Sequence, residues 1–506
     1  MAGRQRDAVA EPNAARGHTD VEIAPTLRTP AVSSACATRP TTVWKGTSIV
    51  TTHIQLPPAA PGGLPLLGHA LSLAGGSSRL DFLQRLRPLG PIVRITVGPK
   101  SLMVVNDPDL IHELLTGRLT KSLDKGLLFA KLKLFGKDAL PVAEGARHMR
   151  RRRLVQPTLH HKQVSGYVDA MSRTIEQTIA PWHDGETLDL KTEMQLITQS
   201  VITETLFSSH PPRDAAGTIL RSVDTVFMAA LQRALLPLRV LERLPTPGNR
   251  RLKKASDILR RTVEDIIAAH RNQPDAYDDV VSLLLNLTDE NGAPLEDDDI
   301  LSEITGLLAA GSETTAVVMA WLFYELARNP DLEDRLHSEI DSVLNGAPLT
   351  AEHIPQLAFT GRLVTETLRL YSPAWLVTRR TTSDVQLGDF DLPAGTDLIF
   401  SPYTMHRDPD LYPDPQRFDP DRWLPERIQP PQNAFIPFGA GKRMCMGDRF
   451  AVTEAVAIAV LVASRWRLRL AQGPTVRPIG AITTHPSWLR MVAETRAPIT
   501  ADASSK

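Results

Sequence analysis

A lone cysteine preceded by closely spaced glycines is the feature of this sequence best suited to chemistry. Residues 438–447 read Phe-Gly-Ala-Gly-Lys-Arg-Met-Cys-Met-Gly, with the cysteine at position 445. The glycines let the backbone turn tightly before the cysteine, and helical periodicity begins just after it. N–H groups at a helix start stabilise a thiolate, which can then serve as an axial ligand of haem iron. The alternative is a buried free cysteine beside a turn.

Three neighbours of Cys445 fit the same purpose. Gly439 supplies part of the turn, Arg443 could pair with a haem propionate, and Phe438 could pack beside the sulfur and limit the access of water. With the whole pattern present in one loop, haem ligation is the favoured interpretation.

The loop resembles the haem-binding signature of the cytochrome P450 family, and other motifs of that family follow the expected order over roughly residues 57–495. The resemblance implies a mainly α fold with a smaller β-rich part and a long central helix over the haem. It also implies haem b (iron protoporphyrin IX) as the cofactor, with Cys445 as the axial ligand to the metal.

A second motif, Ala-Gly-Ser-Glu-Thr-Thr at residues 310–315, lies inside a long apolar pattern. Small residues leave room for a ligand, and a threonine hydroxyl can bond a carbonyl one turn earlier and distort the helix. A carboxylate beside an alcohol can relay protons. The motif resembles the family's oxygen-activation segment, which implies that Glu313 and Thr314 are catalytic. A helix kink without chemistry is the alternative.

Glu366 and Arg369 are spaced i, i+3, which places them on one helix face. They resemble the family's Glu-x-x-Arg motif, and residues 418–423 resemble the segment whose arginine, here Arg422, joins that pair. We therefore predict a structural clamp of these three residues that holds the cysteine loop and takes no part in catalysis.

Four further residues are predicted to contact the cofactor from the resemblance. His148 and Arg152, spaced i, i+4, would reach the two propionates. Arg379 would be another propionate contact, with Arg380 able to exchange roles with it. His406 matches a family position near the haem, and its alternative is a histidine that packs a loop.

The predicted walls of the substrate pocket are almost entirely apolar, which favours an apolar substrate held by shape. The wall residues are Leu128, Phe129, Phe227, Leu231, Leu307, Ala310, Trp375, Leu376 and Ile482. Ordinary core packing is the alternative for each. Residues 373–380 and 401–403 resemble the family's bacterial terpene hydroxylases, which implies a cyclic, sesquiterpene-like substrate. A fatty acid or a polyketide is the alternative.

Composition excludes several classes of protein. The chain has 506 residues, of which 42% are hydrophobic, enough for a large core. Lys+Arg and Asp+Glu both number 57, and this balance argues against nucleic acid as a partner. The two cysteines, Cys36 and Cys445, exclude a disulfide framework and a cysteine-rich zinc site.

Helical periodicity covers most of the chain between about residues 145 and 345, with strand-like runs towards both ends. The segment 298–328 is apolar on nearly all sides, which predicts a helix through the protein centre. Two carboxylates within it argue against a membrane span, and a cytoplasmic location is expected. We predict a disordered tail over 1–55, a catalytic domain over 56–497 and a disordered tail over 498–506.

Together these features predict a haem-thiolate monooxygenase that uses O2 and acts as a monomer. The motifs occupy the whole ordered chain, so electrons should come from a separate ferredoxin and ferredoxin reductase. The basic run at 147–153 is either a solvated face or a docking surface for that acidic carrier. Rival functions are a non-catalytic haem carrier or sensor and a peroxide-dependent enzyme. The pair Glu313–Thr314 speaks against both.

Overall fold

The computed structural model describes residues 38–45, 48–126, 129, 139–208, 213–235, 244–277, 279–288 and 292–496, and residues 36–506 form one unit. Helices dominate the described part. They are α1 (Gly76–Leu86), α2 (Pro108–Thr116), α3 (Gly145–Val155), α4 (His161–Ile179), α5 (Leu190–Phe207), α6 (Arg213–Leu235), α7 (Pro247–Asn272), α8 (Val280–Leu285), α9 (Asp297–Arg328), α10 (Pro330–Leu344), α11 (Ala358–Leu370), α12 (Pro402–Met405) and α13 (Asp448–Arg465).

The strands are short and form small sheets. They are β1 (Thr38–Lys45), β2 (Ser48–Gln55), β3 (Ile92–Val97), β4 (Lys100–Val105), β5 (Leu123–Asp124), β6 (Thr187–Asp189), β7 (Val377–Thr381), β8 (Val385–Leu387), β9 (Phe390–Leu392), β10 (Asp397–Phe400), β11 (Trp466–Leu470), β12 (Pro478–Gly480), β13 (Thr484–Pro486) and β14 (Arg490–Thr495). The architecture confirms the predicted mainly α fold with a smaller β-rich part.

The largest sheet joins distant parts of the chain. Its strand order is β3-β4-β10-β7-β5, and β10 pairs with β4 in parallel while the other pairs are antiparallel. Strands from residues 92–124 therefore lie beside strands from residues 377–400. This pairing brings the segment that carries Arg379 next to the segment that precedes α3.

Helix α9 runs through the protein centre, as predicted. Three aspartates fill its first turn and complement the positive end of the helix dipole. In the described part of the chain it alone is long and apolar enough to cross a membrane, yet 78% of its apolar window is buried inside the protein. It is therefore a core helix.

Helices α5 and α9 approach each other closely at Gly311. A Cβ atom at that position would lie 2.1 Å from Cδ1 of Ile202 on α5. The glycine thus sets how near the two helices can pack, and the motif at 310–315 is held against α5.

The amino-terminal segment differs in part from its prediction. Strands β1 and β2 pair as an antiparallel hairpin, with Val43 opposite Val50, where a disordered tail was predicted for residues 1–55. The two runs are rich in threonine, valine and isoleucine, which favour strands. The rest of that predicted tail through residue 37, and the carboxy-terminal tail at 498–506, lie outside the described residues.

Candidate active site

The cysteine loop is shaped by hydrogen bonds within the loop and by glycine. The backbone N–H of Cys445 donates to the carbonyl of Phe438 at 2.9 Å, and that of Gly439 donates to Ile436. Gly441 has a φ of +68°, and a Cβ there would lie 2.2 Å from the carbonyl oxygen of Leu115. Only glycine fits this position, and the turn it permits delivers Cys445 just before α13.

The Cys445 side chain is surrounded by protein but is not packed against it. The residue is solvent-accessible, although desolvation raises the pKa of its thiol, an effect opposed by the Gly447 backbone N–H and by Arg152. Phe438, whose carbonyl accepts from the Cys445 backbone N–H, lines a narrow cavity beside the loop. This cavity has mainly apolar walls. They are formed by Thr314, Thr315, Val318, Val364, Leu368, Pro373, Phe438, Ala451, Val452 and Ala455.

Positive side chains gather around the amino-terminal part of α3. Lys125, Arg152, Arg379 and Arg443 act electrostatically on one another or on His148. We call these five residues the cationic cluster. Of the described carboxylates, only Glu144 lies within ion-pair distance of it, 2.6 Å from Arg443. The cluster therefore carries a clear excess of positive charge.

Burial and mutual repulsion shift the pKa values of the cluster. Desolvation, followed by the charges of Lys125, Arg443 and Arg152, lowers the pKa of His148 to about 4. Desolvation and Arg443 lower the pKa of Arg379 to about 10. Burial is the larger cause of both shifts and neighbouring positive charge adds to it, so that His148 is neutral at pH 7.

The three predicted arginine contacts in the cluster each donate to a backbone carbonyl. Arg152 donates to the Met444 carbonyl at 2.5 Å, so α3 is tied directly to the cysteine loop. Arg443 donates to the Leu123 carbonyl at 3.0 Å, while its buried Nη1 has no hydrogen-bond partner among the described residues. Arg379 donates to the carbonyl of Thr378. Arg380, the alternative to Arg379, instead lies 3.6 Å from Asp397 and is more exposed.

Lys125 belongs to the cluster and was not predicted. Its ammonium donates to the carbonyls of Leu140 and Pro141 at 2.9 and 2.7 Å. Desolvation is the main cause that lowers its pKa to about 7. Its sequence neighbourhood offers no motif, so only the fold could reveal it.

The predicted clamp residues lie together. Arg369 is fully buried and donates twice to Glu366 at 2.8 Å, and it also donates to the carbonyls of His406, Pro415 and Arg417. Arg422 stands 3.6 Å from Glu366. The clamp thus ties α11 to the irregular chain that leads to the cysteine loop.

Two donors complete the clamp and were not predicted. Glu366 accepts from the Trp423 indole at 2.9 Å and from the Asp419 backbone N–H at 3.0 Å. Trp423 directly follows Arg422 in the sequence, which is the signal that could have identified it.

His406 is fully buried beneath the loop. Its Nε2 accepts from the Ile436 backbone N–H at 3.1 Å, and desolvation lowers its pKa to about 3. His406 is therefore hydrogen-bonded to the irregular segment that precedes Phe438. This placement favours the alternative of a loop-packing histidine.

One face of α9 is open while the rest of its central part is buried. Leu307, Ala310, Gly311 and Thr314 are accessible, and their spacing of i, i+3, i+4 and i+7 puts them on one face. Thr314 also lines the narrow cavity, and its hydroxyl donates to the Ala310 carbonyl at 2.9 Å. The predicted residues Leu307, Ala310 and Thr314 therefore share one accessible face of α9, and Thr314 also lines the cavity.

Glu313 points to other partners. Its carboxylate accepts from Gln195 of α5 and, at 2.9 Å, from Thr483 in the turn between β12 and β13. Lys191 lies 3.7 Å away and Asp224 is close enough to interact electrostatically. Glu313 is thus adjacent to Thr314 in sequence but is held in a separate polar network.

The remaining predicted wall residues have mixed placements. Phe227 and Leu307 are partly buried against the main core, and Leu376 against a smaller one. Trp375 is buried in that smaller core, and its indole donates to the Ala481 carbonyl at 2.8 Å. Phe129 lies 5.8 Å from the Lys125 ammonium, and Ile482 is partly buried. Leu128 lies outside the described residues, as does the side chain of Leu231.

A cavity of about 710 Å³ lies elsewhere, between the end of α9 and the chain after α12. Its charged walls neutralise one another, as in the 2.8 Å ion pair of Arg335 with Asp421. None of the residues predicted to contact the haem or to form the substrate pocket lines it, whereas Thr314 and Phe438 line the narrow cavity. The candidate active site is therefore the narrow cavity between α9 and α13.

These residues fit an iron porphyrin. The Cys445 thiol can bind the metal, the apolar walls beside the cysteine loop can face the ring, and a cluster with an excess of positive charge can accept two propionates. The buried, unpartnered Nη1 of Arg443 is a donor for such an anion. Cys445 would hold the iron, and Lys125, His148, Arg152, Arg379 and Arg443 the propionate side.

Comparison with known proteins agrees. The family model described as Cytochrome P450 matches residues 57–487. A cyclooctat-9-en-7-ol 5-monooxygenase of Streptomyces melanosporofaciens is 37% identical over 92% of this chain and 98% of its own. Pentalenene oxygenase of Streptomyces avermitilis is 37% identical over 88% and 99%.

A solved structure shows the same fold. The crystal structure of the cytochrome P450DA heme domain superposes with a TM-score of 0.79 at 24% identity, over 87% of this chain and 98% of that one. The match, the thiol at the apolar cavity and the cationic cluster lead to one conclusion. The chain belongs to the cytochrome P450 family and is a haem-thiolate monooxygenase.

Proposed function

We propose that this enzyme hydroxylates a cyclic terpene. The observation that carries the proposal is the open face of α9, where Leu307 and Ala310 offer apolar surface and Thr314 the one hydroxyl. Such a face holds a hydrocarbon by shape. Two relatives of 37% identity bear names that denote terpenoid substrates, which supports the same class. A fatty acid or polyketide is the alternative, but none of the four accessible residues is charged to hold a carboxylate.

When bound, the haem supplies the oxidation: one atom of O2 enters a C–H bond and the other becomes water, with two electrons and two protons taken up. The protein must hold the substrate, exclude bulk water and deliver those protons. The apolar walls perform the first two tasks. Thr314, the hydroxyl on the open face, donates its own proton to the Ala310 carbonyl, and its Oγ1 would accept from and so hold a proton donor.

Protons would arrive through the network around Glu313. Lys191 keeps 27% of its side chain exposed and reaches Glu313 at 3.7 Å, so it joins that carboxylate to solvent. Asp224 faces the same pair, and desolvation followed by the charge of Glu313 raises its pKa to about 6. We infer that Glu313 collects protons from this side and that a movement of its side chain passes them to Thr314.

Electrons would come from a ferredoxin, itself reduced by a ferredoxin reductase. The exposed basic residues on this side are Arg153 on α3, Lys162 at the start of α4, Lys442 in the cysteine loop and Arg449 at the start of α13. Lys442 is only three residues from Cys445 along the backbone of the cysteine loop. Basic side chains at this place favour an acidic carrier by electrostatic steering. A monomer in the cytoplasm, where such carriers occur, is the corresponding expectation.

A turnover assay tests the substrate class. The purified holoenzyme, supplied with a ferredoxin and its reductase, is given a cyclic sesquiterpene, a cyclic diterpene and a long-chain fatty acid. We expect products heavier by one oxygen atom from a terpene and none from the fatty acid. Oxidation of the fatty acid alone would overturn the proposal.

A variant pair locates the substrate. Ala310→Phe should fill the open face and abolish terpene oxidation, while the reduced carbon monoxide complex keeps its thiolate-type spectrum. Ala146→Phe, at an exposed position of α3, is the control and should keep full turnover. A histidine-type spectrum in the parent enzyme would refute Cys445 ligation, and equal turnover by both variants would refute the assigned face.

A further inference from the structure

An unusual group of exposed leucines lies before α1. Leu64, Leu66, Leu67 and Leu71 are 47%, 94%, 48% and 61% exposed. Nine large hydrophobic residues are exposed in the described chain, and these four fall within eight positions. Single exposed leucines are ordinary on a protein surface, but a concentration of them indicates an interaction. We call these four residues the leucine patch.

The leucine patch is presented by a fixed turn. Leu64 and Gly68 exchange backbone hydrogen bonds of 2.9 and 2.7 Å, and His69 N–H donates to Thr96 of β3 at 2.6 Å. Leu66, at the tip, has a φ of +64°. A branched side chain is disfavoured there, and a strained residue that is also exposed needs a reason other than packing.

The segment of chain that carries the patch has no charged side chain. Between Pro57 and Ser78 the sequence contains no aspartate, glutamate, lysine or arginine. The patch offers roughly 400 Å² of apolar surface, the size of the largest patch on an ordinary monomer. A specific protein interface takes about 800 Å² from each partner. The patch therefore suits a partner that needs neither a complementary protein surface nor an opposite charge.

The patch is also close to the active-site side of the molecule. Helix α1 follows it directly and packs on β12, where a Cβ at Gly76 would lie 2.6 Å from Ile479. The next turn carries Ile482 and Thr483, and Thr483 donates to Glu313 at 2.9 Å. A surface that binds the patch would therefore lie next to this side of the enzyme.

We propose that the leucine patch inserts into the surface of a lipid bilayer and anchors the enzyme there reversibly. Four leucine side chains enter the acyl boundary, with Leu66 deepest. Since the segment is uncharged, the binding depends on apolar burial and not on anionic headgroups. The inference goes beyond the proposed function. An enzyme anchored in this way would take up an apolar substrate directly from the bilayer in which it is dissolved.

Vesicle sedimentation tests the anchor without turnover. Holoenzyme is mixed with phosphatidylcholine vesicles at low and high salt. We expect binding that is the same at both salts. Leu66→Ser with Leu71→Ser should lower the partition coefficient at least tenfold, while Ile428→Ser with Leu470→Ser should leave it unchanged. Ile428 is 96% exposed, so this control removes comparable surface elsewhere.

Leu66→Gly separates anchoring from folding. Glycine adopts a positive φ without strain, so this variant should unfold at a higher urea concentration than the parent and yet bind vesicles less. Loss of terpene oxidation in the parent would leave these results intact and would refute only the proposed function.

Three results would overturn the anchor: no binding of the parent to phosphatidylcholine, binding by the serine pair equal to the parent, or binding that needs anionic lipid and disappears at high salt. A dimer seen by sedimentation velocity that the serine pair abolishes would instead assign the patch to a second copy of the chain.

Discussion

Replacing Glu366 by glutamine removes one negative charge from a side chain that is fully buried beside two arginines. The carboxylate accepts two hydrogen bonds from Arg369 at 2.8 Å and one each from Trp423 and Asp419. A glutamine amide nitrogen would replace one of the two oxygens and turn its N–H groups towards two of these four donors. Arg369 would then keep its charge in the core without compensation. Loss of one partner of a buried pair costs about 3–5 kcal/mol, which is a large share of a typical stability of about 5–15 kcal/mol.

Urea unfolding followed by circular dichroism measures this cost, and the Soret band reports haem retention in the same samples. The control is Glu264→Gln, which breaks the exposed pair with Arg260 at 2.9 Å and should cost less than about 1 kcal/mol. We expect Glu366→Gln to lose both stability and haem. A loss below about 1 kcal/mol with unchanged haem content would refute the reasoning that charge compensation holds this clamp.

Three further predictions concern protons and haem. Thr314→Ala should keep electron consumption but divert it to peroxide, as measured by the ratio of product to reductant; an unchanged ratio would contradict the proton role. Burial raises the pKa of Asp224 to about 6, so the native state binds more protons than the unfolded state. As the pH rises through 6, the buried carboxyl must ionise and the free energy of unfolding falls. Asp224→Asn should therefore stabilise the protein by about 1–2 kcal/mol at pH 8, after discounting for partial exposure, and not at pH 4; an equal effect at both pH values would contradict the shift. Lys125→Met should release haem to apomyoglobin about tenfold faster, a factor equivalent to about 1.4 kcal/mol, while Lys125→Arg should not; equal release rates would remove Lys125 from the propionate side.

Local spacing made part of this site predictable. The cysteine loop lies within ten consecutive residues, and Glu366 and Arg369 are one helical turn apart, so their juxtaposition follows from the helix alone. The central position of α9 also follows from its uniform apolarity. In each case the sequence pattern and the structural contact span the same short segment.

Contacts between distant segments were not predictable in the same way. Glu313 meets Gln195 and Thr483, which lie 118 and 170 residues away in the sequence. Lys125 faces Arg379 only because β5 pairs with β7. Adjacent residues can also point apart: Glu313 and Thr314 were expected to act as one unit, and a rotation of about 100° per residue around the helix separates their side chains.

The cationic cluster connects the fold to the cofactor. Lys125, just after β5, is brought together with Arg152, Arg379 and Arg443 by α3, β7 and the cysteine loop, and among the described carboxylates Glu144 alone lies within ion-pair distance of them. The lowered pKa values of Lys125 and Arg379 show that this assembly costs free energy. A dianionic ligand that binds only the folded chain removes that cost and adds its own binding free energy to stability. Haem binding and the closing of these four segments should therefore be one cooperative event, because each segment contributes a charge that only the ligand can balance.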